Sequence, residues 1–185
     1  MTASISTLFR DELLAGQAIA LAGGGGALAQ PLRALGAEVT AIELEPAGEE
    51  EEAAERAVAS AHAAAGRIDT LVLDARAYVE VPHVLDATWI VVRAVATAAM
   101  IPDERGGKIV LVAAPPPAEP ARAGLENMAR TLSIEWARFG IRPTVLAPGK
   151  GTTEEEIGAL LAYLASPAGD YFSGSRLSLG EVTVR

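Results

Sequence analysis

A chain of 185 residues, half of them apolar, is sized for one domain with a sizeable core. Its formal net charge of −9 argues against a nucleic-acid partner or an anionic membrane surface. The absence of cysteine excludes disulfides, thiol chemistry and cysteine zinc sites, and His62 and His83 lack the close spacing of a helical metal site, so no metal is expected.

Residues 1–16 carry Arg10, Asp11 and Glu12 in place of a basic start and an apolar centre, so they do not read as a signal peptide. The apolar-rich run 89–101 contains Arg93 and is too short to span a bilayer, so a cytoplasmic location is expected. Arginine over lysine and abundant alanine point to a GC-rich bacterial genome. Residues 4–15 predict a short helix with Leu8, Leu13 and Leu14 inward, and 17–22 a first strand that runs into Gly23-Gly24-Gly25-Gly26. Strand, glycine turn and helix is the order that points backbone N–H groups at a pyrophosphate, although four glycines also make a flexible connection.

A helix is expected over 28–35, with Pro31 near its start and Gly36 at its end, followed by a second strand over 39–44. Pro46-Ala47-Gly48 leads directly into an acidic, alanine-rich helix over 49–65, whose glutamates suit a helix N-terminus and serve solubility. His62 on that helix reads as a surface residue. Residues 68–73 form the next strand, and a second amphipathic helix is expected over 86–100. Residues just past a strand end face the ligand crevice of a doubly wound fold, which makes Asp74, Arg76, Tyr78 and His83 site candidates. The competing readings are a local surface pair for Asp74 and Arg76, packing for Tyr78 and a loop position for His83.

Lys108-Ile-Val-Leu-Val112 is a β-branched run with the composition of a strand buried on both faces. Pro115-Pro116-Pro117-Ala118-Glu119-Pro120 is a stiff connection to a helix over 122–138 with Leu125, Met128, Leu132 and Trp136 on its apolar stripe. Gly140 caps that helix, and 141–147 is extended and apolar before Pro148-Gly149. Lys150, just beyond, reads as a solvated cation. Thr153 with Glu156 forms a capping box for a helix that ends at Ser166-Pro167, and 171–180 holds the closing strand. These elements compose a single Rossmann-like, doubly wound α/β domain over 1–185 with a mostly parallel sheet.

The segment from Ala123 to Arg142 with Leu146-Ala147-Pro148-Gly149, the run from Gly66 to Ala75 and the close from Tyr171 to Gly180 resemble the short-chain dehydrogenase/reductase family over nearly the whole chain. The resemblance implies that Ala22-Gly23 opens the cofactor turn, with Ala27 and Ala29 at its later glycine positions and Ala27 crowding a phosphate. It implies that Glu43 holds an adenosine ribose and favours NAD over NADP, a role weighed evenly against a solvated carboxylate. Asp74, Pro148 and Gly149 fall at further cofactor positions. The family's Ser/Tyr/Lys residues fall on Ala113 or Ala114, on Ala118 and on Arg122, and the usual catalytic groups are missing. The sheet is reduced near its second and third strands, and the dimer helix and substrate lid are shortened.

Three functions follow from this pattern. The leading expectation is a degenerate family member without ordinary carbonyl or alcohol oxidoreductase chemistry, acting as a structural or regulatory subunit of a homo- or hetero-oligomer, with an active relative as one candidate partner. The alternatives are an NAD(H)-dependent oxidoreductase that uses Tyr78 or His83 as its acid, and a nucleotide sensor that needs only the glycine turn and Glu43.

Overall fold

The computed structural model describes residues 9–44 and 51–180. Six parallel strands form one sheet: β1 (Ala18–Ala22), β2 (Glu38–Ile42), β3 (Thr70–Asp74), β4 (Gly107–Val112), β5 (Ile141–Pro148) and β6 (Arg176–Leu179), in the order β2-β1-β3-β4-β5-β6. The chain starts at β1, steps outward to β2, then returns across β1 to β3. That reversal makes a topological switch point between β1 and β3, where the loops at the strand ends diverge and leave a crevice.

Among the described residues, five helices cover the two faces: α1 (Ala29–Ala34), α2 (Glu51–Ala65), α3 (Val81–Val95), α4 (Glu119–Glu135) and α5 (Glu154–Ala165). Alternation along each strand feeds two cores. Ala20, Leu71, Leu73, Ile109 and Leu111 face α2, α3 and α4, while Ile19, Leu21, Val72, Val110 and Val112 face α1 and α5. Burial on both faces explains why the central strands are continuous apolar runs rather than alternating ones.

The element boundaries differ from expectation where tertiary contacts intervene. Residues 9–16 form turns, not the helix expected over 4–15, because Glu12 takes φ 57° and the Leu14 N–H donates to Leu35 O at 2.8 Å. Leu14 is buried as expected, whereas Leu8 lies outside the described residues. The segment 45–50, including the glutamates before Glu51, also lies outside them. Helix α3 begins five residues before the expected Asp86, with Pro82 in its first turn, where the missing N–H costs nothing. It runs on through a π turn, Ala96–Met100. The continuous run Val81–Met100 is therefore apolar and long enough by length and composition to cross a membrane, unlike the shorter run read from the sequence. Over half of it is buried inside the domain, as befits a core helix. Helix α4 starts at Glu119, three residues early, and its tail passes into a 3-10 turn before Gly140 in the left-handed region. On its stripe, Leu125, Ala129 and Leu132 are fully buried while Met128 and Trp136 are partly so. The Thr153–Glu156 capping box of α5 forms as expected, with the Glu156 N–H donating to Thr153 Oγ1 at 3.2 Å and Thr153 N–H to Glu156 Oε2 at 2.8 Å. The closing strand is shorter than expected, because residues 167–172 wind into a 3-10 turn.

His62 is not a plain surface residue: its Nε2 lies 2.9 Å from Asp103 Oδ2, tying α2 to the turn after α3. Both side chains are partly buried. A His62→Ala variant is expected to unfold at a modestly lower urea concentration, a loss of about 1 kcal/mol, with an unchanged m-value. An unaltered midpoint would remove any structural role for the pair.

Candidate functional site

The crevice at the switch point is floored by the turn after β1. Gly23, Gly24 and Gly26 take φ of 74°, 69° and 85°, values that side chains with a Cβ rarely adopt. The first two glycines also permit close packing against the end of β3: a Cβ on Gly23 would lie 2.7 Å from the Asp74 carbonyl oxygen, and one on Gly24 would lie 2.8 Å from Asp74 Cβ and Cγ. Gly25 belongs to the same 3-10 turn, Gly24–Gly26. Helix α1 follows after Leu28, and it has only six residues. Ala27 is exposed, whereas Ala29 is buried and lines the crevice.

Above this turn lies a cavity of about 800 Å³, bounded by the ends of β1 and β2, the loop after β3 and the first turn of α3. Gly23, Gly24, Gly26, Glu43, Tyr78 and His83 all line it. Sequence separation between these residues is large, and the parallel sheet brings them together because every β-strand ends at this edge. Glu43 stands just past the end of β2. The Tyr78 and His83 rings meet at a centroid distance of 5.2 Å. Two charged cavity residues are not singled out by the sequence, Arg33 and Glu80. Arg33 Nη2 donates to Val39 O at 2.9 Å, which turns the guanidinium toward the β2 end of the cavity. An arginine in the last turn of a short helix is the only sequence cue it offers.

Burial raises the Tyr78 phenol above its ordinary value of 10.0, so it stays protonated near neutrality. A raised tyrosine contributes stability below its ordinary value and loses it as pH rises toward the folded-state value. An alkaline titration followed by tyrosinate absorbance is expected to show a late phase that Tyr78→Phe removes. Retention of that phase in the variant would assign it to another tyrosine.

Asp74 is buried at 1% exposure and is spoken for. Its Oδ1 accepts from the Arg76 N–H at 3.1 Å and from Nε at 2.8 Å, and its Oδ2 accepts from Nη2 at 2.7 Å. Arg76 also donates to both carboxylate oxygens of Glu154, at 2.6 and 3.0 Å, so the loop after β3 is latched to the start of α5. This is the local pair expected as the alternative to a ligand role, extended by a third member from a distant helix. The two carboxylates hold the Arg76 guanidinium well above its ordinary value, and Arg76 in turn lowers the Glu154 carboxyl. The Glu154 contribution is present above its ordinary value of 4.5 and is lost as pH falls through the lowered value. Glu154 is half exposed, so screening keeps the contribution below about 1 kcal/mol. Wild-type protein is expected to lose its advantage over Glu154→Gln as pH drops below about 4.5. A pH-independent difference between the two would exclude this ionic origin.

The residues expected at the other half of a dinucleotide site do not line the cavity. Arg122, on the inner face of α4, is fully buried, and its Nη1 donates to Ala114 O at 3.0 Å and to Pro148 O at 2.7 Å. Its Nε lies 3.3 Å from Glu119 Oε1. The guanidinium thus clips the end of β4 to the end of β5. Gly149 N–H donates to Leu179 O at 2.7 Å and to Thr152 Oγ1 at 3.1 Å. Ala118 precedes α4 with a methyl side chain that can neither donate nor accept a proton. Lys150 is exposed, as expected of a solvated cation. Among the described residues, no group of three His, Asp or Glu side chains could hold a metal.

The cavity suits one nucleoside, with aromatic rings, a carboxylate and apolar walls, whereas the backbone groups at the ends of β4 and β5 are engaged by Arg122, Thr152 and Leu179. The glycine turn, Glu43 and the apolar cavity walls fit the nucleoside end of an NAD(H).

No family model matches the chain. A segment of 59 residues is 39% identical to an uncharacterized oxidoreductase of Caenorhabditis elegans; it makes up 32% of this chain and spans only 19% of that relative's length. Among solved structures, a citronellol catabolism dehydrogenase of Pseudomonas aeruginosa superposes with a TM-score of 0.75 at 25% identity, over 93% of this chain and 96% of that one. A hydroxysteroid dehydrogenase of Escherichia coli gives 0.74 at 17% identity over 92% and 98%. A 3-ketoacyl-(acyl-carrier-protein) reductase of Brucella melitensis, complexed with NADH, gives 0.75 at 17% identity over 90% and 97%. With its six parallel strands in the order β2-β1-β3-β4-β5-β6, the chain carries the Rossmann-like fold of the short-chain dehydrogenases and reductases.

Proposed function

We propose that this protein is a non-catalytic relative of the dehydrogenases and reductases whose fold it has, acting as a structural or regulatory subunit of an oligomer in the cytoplasm. The observation that carries the reading is Arg122. At the position the resemblance gives to a catalytic lysine, this side chain is fully buried and spans two backbone carbonyls at the ends of β4 and β5. A guanidinium stays charged throughout the physiological range and is a poor proton donor, so its work here is to hold strand ends together. Ala118 offers no hydroxyl four residues earlier. The subunit role rests on the retained α4 and closing strand, which the resemblance assigns to subunit contacts, and on Ile134 of α4 and Trp89 of α3, large apolar side chains left exposed.

The competing reading is an NAD(H)-dependent oxidoreductase with Tyr78 or His83 as its acid. One observation favours it: both rings stand on the cavity wall in mutual contact. The deciding experiment mixes the purified protein with NADH or NADPH and a panel of aldehydes and ketones, following absorbance at 340 nm, and weighs the protein by light scattering on a sizing column. The expected result is no depletion above the protein-free rate and a mass of two or more chains. Depletion that requires the protein would overturn the non-catalytic reading, and a monomer at micromolar concentration would overturn the subunit role.

A further inference from the structure

We infer that the outer edge of β2 is a self-pairing surface: a second copy of this chain adds its own β2 there, antiparallel, with Arg33 of each copy against Glu43 of the other. The inference rests on the reading that the protein is a subunit of an oligomer, and it names a surface for that assembly. Strand β2 ends the sheet, and among the described residues no strand lies on its outer side. The Glu38 N–H donates inward to Gln17 O, just before β1, at 2.9 Å. Backbone groups alternate in direction along a strand, so those of Glu38, Thr40 and Ile42 serve β1 while those of Val39, Ala41 and Glu43 point outward. Arg33 marks the same direction, because its Nη2 reaches Val39 O from the outer side at 2.9 Å.

An outward row of N–H and C=O groups is a template for another strand, and edge strands commonly carry lysine, proline or a bulge that discourages pairing. The sequence of β2, Glu-Val-Thr-Ala-Ile, has neither lysine nor proline, and its register with β1 runs without a bulge. Its central outward residue, Ala41, is exposed and small. Ala41 pairs with Leu21, whose side chain packs among the residues facing α1, so the Ala41 methyl group lies on that face and leaves room there for the partner's backbone to close in.

Charge selects the register and the occupant. A two-fold axis through Ala41 sets Ala41 opposite its own copy and Val39 opposite the partner's Glu43. Val39, Ala41 and Glu43 share the α1 face by alternation, and Arg33 of α1 is held at Val39 O, so its guanidinium comes beside the partner's Glu43, twice by symmetry. The bond to Val39 O uses only one of the guanidinium's N–H donors, and Arg33 and Glu43 are both exposed. An axis through Val39 would set Arg33 against its own copy, and one through Glu43 would set two carboxylates directly opposite; like charges so placed oppose pairing. On the other face the favoured register puts Thr40 opposite the partner's Ile42, a β-branched pair. This edge is separate from the closing strand, since β6 ends the sheet on its far side.

The test weighs the intact protein by light scattering across a micromolar dilution series, beside variants whose folding is checked by circular dichroism. Arg33→Glu and Glu43→Arg are each expected to weaken association about tenfold, and the double exchange to return it to within about threefold of wild type. Ala41→Pro removes the central outward N–H without touching a bond to β1, and is expected to lower the mass. Ile134→Glu on α4 is expected to keep the β2 contact and a mass of two chains or more. Deuterium exchange of the wild type needs no variant: the Val39, Ala41 and Glu43 amides are expected to be protected when concentrated and to exchange rapidly on dilution. Wild-type mass in Ala41→Pro and in both single charge variants would overturn the inference and leave the subunit reading standing on α4. A double exchange that fails to restore the mass, or edge amides that exchange rapidly at every concentration, would overturn it as well. A monomeric wild type would sink both proposals, whereas NADH depletion by a dimer that behaves as expected would remove only the non-catalytic reading.

Discussion

An Arg122→Ala variant is expected to lose about 3–5 kcal/mol of unfolding free energy, the largest effect of any single side-chain truncation near the site. Two terms add. The deletion leaves the Ala114 and Pro148 carbonyls without their shared donor in a region closed to water, and it opens a void beneath α4 where a fully buried side chain stood. Arg122→Lys separates the terms, because lysine fills most of the volume but offers a compact ammonium in place of a fork. It is expected to lose about 1–2 kcal/mol, by weakening one of the two carbonyl contacts. Urea unfolding at fixed m-value reads both numbers. If Arg122→Ala unfolded within error of wild type, Arg122 would not be the clip described, and the central support of the non-catalytic reading would fall.

Gly24→Ala is the second large effect, about 3 kcal/mol, and it acts through the backbone. At φ 69° an alanine is strained, and its methyl would overlap the Asp74 side chain, which Arg76 holds in place with three hydrogen bonds. The carboxylate cannot swing away without breaking the latch to Glu154. Gly26→Ala is the control: φ is 85°, but a Cβ there meets nothing within 4 Å. It should cost only the conformational strain, about 1 kcal/mol. Equal losses at the two positions would mean that Asp74 does not constrain the turn. The comparison also separates two reasons for a glycine, since Gly24 is required by a neighbour inside the protein and Gly26 only by its dihedral angles.

The core strands were legible because burial on both faces leaves a continuous apolar signature, as in Lys108-Ile-Val-Leu-Val112. The α5 capping box was legible because it is local, four residues satisfying one another. The start of α3 was missed because Val81 and Pro82 look like loop residues, until the fold buries Val84 and Ala87. The expected helix over 4–15 was spoiled in its described part by a contact with Leu35, which no local pattern encodes. At the site, the glycine turn, Glu43, Tyr78 and His83 were all singled out, and the fold gathers them around one cavity. Asp74 reads from the sequence either as a ligand residue or as half of a local pair with Arg76, and the structure shows the pair.

By itself the amino-acid sequence determined the strand and helix types and the side chains available for chemistry, since periodicity, capping and residue identity are local properties. The tertiary structure decided which of those side chains face an open space. Arg33 and Glu80 join the cavity, while Arg122 and Asp74 are withdrawn from it, because a buried charge takes the partners that the fold brings within hydrogen-bonding distance.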